Sequence, residues 1–120
     1  MSKVMVHITH GPEHPTRVAL GFLVAKTAAE EGHDVTVFLA GDAVQFARAR
    51  VREEAVGVGL GSVAEHTAAL MEAGATFYLS RMSSKAREIT EDDAASLKAE
   101  MTTPQMLVKL SLEQDSMFTY

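Results

Sequence analysis

Val4-Met5-Val6-His7-Ile8 is an apolar run broken by one imidazole. The polar loop Thr9-His10-Gly11-Pro12-Glu13-His14 follows it, and Pro15 then heads a long helical stretch. A strand that is apolar on both faces belongs inside a parallel sheet covered by helices, because a half-exposed strand would alternate. The same kind of run recurs at Val35-Thr36-Val37-Phe38-Leu39, at Thr76-Phe77-Tyr78-Leu79 and at Met117-Phe118-Thr119-Tyr120. A weaker strand near Leu97–Met101 carries Lys98 and Glu100, which suits an edge.

Helix signals separate the runs. Pro15 opens a helix reaching about Glu31, with Gly32 as its stop. Asp42 with Gln45, and Ser62 with Glu65, read as capping boxes opening a second and a third helix. Thr90 precedes the acidic first turn Glu91-Asp92-Asp93, and Thr103-Pro104 is an N-cap followed by proline. The order β-α-β-α-α-β-α-β-α-β implies one α/β domain over residues 1–120. It is a three-layer α/β/α fold with a mainly parallel sheet of about five strands and right-handed crossovers. Strand order is not readable from this pattern.

Composition narrows the function. Of 120 residues 47% are hydrophobic and 22% charged, which suits one well-filled core. Eleven Lys and Arg against sixteen Asp and Glu leave a net charge of −5, a poor footprint for nucleic acid or an anionic membrane. The absence of cysteine excludes disulfides, iron–sulfur clusters, thiolate zinc sites and catalysis by the chain's own thiol. No apolar run reads as a signal peptide or a membrane span, so a cytoplasmic location is expected. The first helix is unusual: Val18 to Ala25 reads VALGFLVA, apolar around nearly its whole circumference. A helix covering a sheet needs one apolar stripe, so a second face points to contact with another subunit and to a homo-oligomer.

In an open α/β sheet, ligands bind beyond the carboxyl ends of the strands. Four loops fall there. The candidates for a small polar or anionic ligand are Thr9, His10, Gly11, Glu13, His14 and Arg17 from the first loop. Gly41 and Asp42 come from the second, Ser80, Arg81, Ser83, Ser84 and Lys85 from the third, and Thr102 from the fourth. Small polar residues are also what turns and caps require. His10 and His14 are four apart, but Pro12 and Pro15 deny that segment a regular helix. The spacing therefore loses its meaning for a metal, and no metal is expected. His7 reads as a hydrogen-bonded strand residue, and His33 and His66 as structural or solvated. Ser83 beside Arg81, with His10 or His14 as acid/base, is the enzymatic alternative, with catalytic candidates His10, His14, Ser80 and Ser83. Gly57-Val58-Gly59-Leu60-Gly61 lies after a helix and has the wrong spacing for a dinucleotide loop, so it reads as a turn, and no cofactor is expected. Arg48, Arg50 and Arg52 read as a solvated or subunit-contacting segment.

Taken in order, several segments resemble the DsrE/DsrF-like family of small sulfur-relay proteins. These are Gly11-Pro12-Glu13-His14-Pro15-Thr16-Arg17, Glu31 to Asp42, Gly59 to Leu70, Ala73-Gly74-Ala75, Lys85-Ala86-Arg87 and Thr90-Glu91-Asp92. The resemblance implies a five-stranded α/β domain assembling as a dimer, trimer or hexamer. It also implies a persulfide-carrying cysteine just before Lys-Ala-Arg. Here that loop reads Ser80-Arg81-Met82-Ser83-Ser84, so Ser80 and Ser83 stand where cysteines are expected. A thiol ionises near pH ~8.5 and its thiolate passes sulfur on, whereas a hydroxyl does not. The reading is a family member without sulfurtransferase activity that binds a ligand or partner protein. A purely structural subunit of a sulfur-transfer complex is the further alternative.

Overall fold

The computed structural model describes all residues, Met1–Tyr120. Its elements follow in order as β1 (Lys3–Ile8), α1 (Pro15–Glu30), β2 (Asp34–Leu39), a 3-10 helix (Gly41–Ala47), α2 (Ala49–Glu54), β3 (Val56–Gly57) and β4 (Gly61–Ser62). Then come α3 (Val63–Glu72), β5 (Thr76–Ser80), α4 (Arg81–Ala86), α5 (Glu91–Ser96), β6 (Glu100–Thr102), α6 (Pro104–Ser111) and β7 (Ser116–Thr119). Five strands form one sheet in the order β6-β5-β2-β1-β7, with every pair parallel. β3 and β4 form a separate antiparallel hairpin.

The first three apolar runs become strands because both sheet faces are covered there, whereas β7, expected to be buried like them, is an exposed edge strand with Met117 and Phe118 open to solvent because no strand lies beyond it. Val6, Ile8, Val37, Leu39, Phe77 and Leu79 join Val18, Phe22 and Ala25 of α1 and Val63 and Leu70 of α3 in one buried cluster. Phe22 meets Phe46 edge-on at 5.5 Å. Met5 and Phe38 point to the opposite face and are also buried. The chain steps from β1 to β2, β5 and β6 in one direction, then returns from β6 to β7 across the full sheet. Right-handed crossovers therefore put α6 alone on the second face. α6 has no fully buried residue, and Val108 and Leu112 on it are exposed.

Caps formed where small hydroxyl residues can accept a backbone N–H. Ser62 accepts from Glu65, Thr103 from Met106, and Thr90 with Asp93 forms a complete capping box. Gly32 ends α1 with φ +89°, a conformation that a side chain would strain. The box read at Asp42 and Gln45 is corrected: Gln45 Nε2 donates to the main-chain carbonyl of Asp42, no side chain caps the N-terminus, and a 3-10 helix forms instead. The glycine run expected as a turn is the β3–β4 hairpin. The third-strand loop contains α4, and the weak strand is Glu100–Thr102, with Leu97 buried as the residue ending α5. Arg50 is solvated, but Arg52 is buried.

His7 is also corrected. Its Nε2 is buried without a hydrogen-bond partner, and its ring sits edge-on to Phe38 at 5.7 Å. Burial lowers its pKa below the ordinary 6.5 because the charged form is desolvated. The unfolded chain then takes up this proton before the folded one does. Stability from this group is complete above about pH 6.5 and is lost as pH falls from there toward the folded value. Melting temperature should drop on going from about pH 7 to about pH 5.5, and His7→Phe should reduce that drop. An unchanged pH response in the variant would show that His7 is not the source.

Candidate functional site

All five strands of the main sheet run the same way, so their carboxyl ends share one edge. Backbone packing joins the first two loops. Gly11 is buried so close to Asp42 that a Cβ there would lie 2.5 Å from the Asp42 carbonyl oxygen. A Cβ on Gly41 would lie 3.2 Å from the Thr9 carbonyl. Ser83 of α4 joins them through its Oγ, which accepts from Gly41 N at 2.9 Å. The loops after β1, β2 and β5 thus form one continuous surface.

Within it, most polar groups are engaged with one another. Ser80 Oγ caps α4 by accepting from Ser83 N at 3.2 Å. The Asp42 carboxylate accepts from Arg87 Nε at 3.1 Å and Nη2 at 2.9 Å, and Arg87 Nη1 donates to the Ser83 carbonyl. Arg81 is exposed and donates to the Met101 carbonyl at 3.1 Å, tying α4 to β6. The Glu13 carboxylate accepts from Gly11 N at 2.6 and 3.0 Å, so it shapes its own turn. Thr9 N donates to the Tyr120 carbonyl at 3.2 Å. His10 Nδ1 lies 3.1 Å from the same oxygen. That oxygen can only accept, so His10 Nδ1 is the donor in this contact.

His10 and His14 stand edge-to-face with ring centroids 5.0 Å apart. Neither histidine hydrogen-bonds to a serine, and no group of three His, Asp or Glu converges as metal ligands. Arg17 and Lys85 are exposed and make no ion pair. Ser84 is fully buried with its Oγ unpartnered, and Thr102 is buried at the end of β6 beside Ser80.

Two residues join this surface that the list of candidates omitted. Arg87 is its main cation, and its place in Lys85-Ala86-Arg87 was the available signal. Met82 is 71% exposed beside the serines, which only the formation of α4 makes plain. The surface is shallow. None of the three concavities of the molecule is lined by Ser80, Arg81, Ser83 or Arg87, and one of about 330 Å³ reaches Pro12 and Pro15 from the side of α2.

The chain is similar in fold to the ychN protein from E. coli. That crystal structure superposes with a TM-score of 0.76 at 20% identity, covering 100% of both chains. A conserved protein of unknown function from Bacteroides thetaiotaomicron, BT1422, gives a TM-score of 0.72 at 11% identity, covering 99% of this chain and 95% of that one. No curated protein matches the sequence. The sequence profile of one family spans residues 2–120, and the chain accordingly belongs to the DsrE/DsrF-like family.

Proposed function

We propose that this chain is a sulfur-relay-related protein without a sulfur-carrying group of its own, a homo-oligomer that docks a partner protein on the carboxyl edge of its sheet. The observation that carries this reading is the third-strand loop. The family resemblance puts cysteines where Ser80 and Ser83 stand, and both hydroxyls hold backbone N–H groups. An oxygen there keeps the loop folded but forms no transferable persulfide.

A protein partner is favoured over a small ligand because the edge is shallow and bears an exposed rim of Met82, Arg81 and His14. Small-molecule sites are usually concave and bury most of their ligand. The enzymatic alternative lacks a histidine within hydrogen-bond reach of Ser83, whose Oγ is held by Gly41 N.

The test is a titration against a cysteine-bearing member of the family from the same cell, loaded with persulfide. Binding should occur, and Met82→Asp should weaken it by roughly tenfold, the usual scale for truncating or charging an interface anchor. Intact mass should show that the bound sulfur stays on the partner with the wild-type chain. Ser83→Cys should acquire some of it. Sulfur carried by the wild-type chain would overturn the reading. Thermal stabilisation by sulfate alone, with no binding of the partner, would favour a small anion instead.

A further inference from the structure

We infer that α1 is the seam of the homo-oligomer, seated antiparallel against α1 of a second copy about a two-fold axis passing Val24. The inference rests on the homo-oligomer reading above and assigns it a surface. Helical spacing places Arg17, Leu20, Val24, Ala28 and Glu31 on one stripe of α1. Arg17 and Glu31 are exposed, Leu20 is 39% exposed, and Val24 and Ala28 are half-buried. Beside the stripe runs a groove of about 470 Å³ between α1 and the edge of the sheet. Leu23, Val24, Thr27, Val4 and Phe118 line it, with Glu31 at one end. Phe118 on its far wall is 42% exposed.

The charges identify the occupant. Arg17 lies in the first turn of α1 and Glu31 at its last, each at the end where the helix dipole opposes it. The first turn has no acidic residue and the last turn no basic one. Neither side chain has an ion-pair partner within the chain. An antiparallel copy answers both defects at once. With Val24 facing Val24, Arg17 falls opposite Glu31 of the second copy and Glu31 opposite its Arg17. Each exposed Leu20 falls opposite a small Ala28. A crossing near ~20° keeps both ends, roughly 21 Å apart along the helix, within reach. A single stripe that is self-complementary under a two-fold axis is what an isologous interface requires.

Sedimentation velocity of the full chain tests this. Wild type should sediment as a dimer or larger species. Arg17→Glu and Glu31→Arg should each weaken assembly by about tenfold or more, since each sets like charges face to face twice per interface. The double variant R17E/E31R should restore assembly to within about threefold, because the pairs are reciprocal. Both single variants place charge favourably on the dipole, so their circular dichroism and melting as dilute monomers should not fall. Val24→Asp should also prevent assembly. A wild-type monomer at all concentrations would sink the homo-oligomer reading and this inference together. A wild-type oligomer indifferent to Arg17→Glu, Glu31→Arg and Val24→Asp would sink this seam alone, as would a double variant that fails to recover.

Discussion

Arg52→Met should lower unfolding free energy by about 2 kcal/mol, the scale for stranding one buried carbonyl acceptor and weakening the satisfaction of a second. Arg52 is only 8% exposed. Its Nη1 donates to the carbonyls of Phe46 at 2.7 Å and Ala47 at 2.9 Å, and its Nη2 to Ser96 Oγ at 3.2 Å. The two carbonyls belong to the last turn of the 3-10 helix, where no intrahelical donor remains for them; that of Ala47 also accepts from Ser96 Oγ at 2.8 Å, so that of Phe46 is the one that depends on Arg52. One fork of donors thereby ties that helix to α5. The guanidinium has no carboxylate bound to it, and desolvation pulls its pKa down against a smaller opposing pull from Glu53. Methionine keeps most of the stem's volume, so the loss isolates the donors from the packing. Arg52→Lys should recover part of the stability, because one ammonium can serve a carbonyl but cannot reproduce the fork. Urea denaturation measures both variants. A loss under about 1 kcal/mol for Arg52→Met would mean that water replaces the donors freely.

Gly11→Ala should cost about 2 kcal/mol, in the range for forcing atoms into a packed site, and should abolish partner binding at the carboxyl edge. Its Cβ would stand 2.5 Å from the Asp42 carbonyl oxygen and 2.9 Å from the carbon. These are main-chain atoms, and they cannot swing aside as the nearby Glu13 carboxylate can. The loops after β1 and β2 must separate, which pulls Gly41 N from Ser83 Oγ and slackens the serine loop. Chemical denaturation reads the first effect and the partner titration the second. If the variant binds as wild type does, the continuity of these loops is not what shapes the docking surface.

The strands that the sequence made legible are those whose chemistry is local. Val4 to Ile8, Val35 to Leu39, Thr76 to Leu79 and Met117 to Thr119 all lie in strands, and the caps at Ser62, Thr90 and Thr103 formed as their residue types require. What stayed hidden depends on distant groups. Nothing near Arg52 in sequence announces Ser96 as a partner, 44 residues away, so an arginine flanked by charges read as solvated or subunit-contacting. His7 read as satisfied because buried imidazoles usually are, yet only the assembled sheet shows Phe38 where a partner would be. Asp42 looked like a cap until Arg87, 45 residues on, claimed its carboxylate. At the site, parallel strand direction placed the loops on one edge, but that the first three touch one another was not legible in the sequence. That the serines of this loop serve turns and caps was legible from their type, whereas which backbone donors they hold was not, because that depends on α4 forming directly after β5.

The return of the chain across the whole sheet has a kinetic consequence. Lys3 and Asp115 meet across 112 positions, so the last strand can dock only on a β1 already placed by the rest of the sheet. That docking has little help from α6, which buries no residue fully. The β1–β2–β5 centre can condense from neighbouring segments while this flank is still open. In the mature fold the same flank is where amide protons should escape most readily, leaving the serine-bearing edge on the more persistent part of the structure.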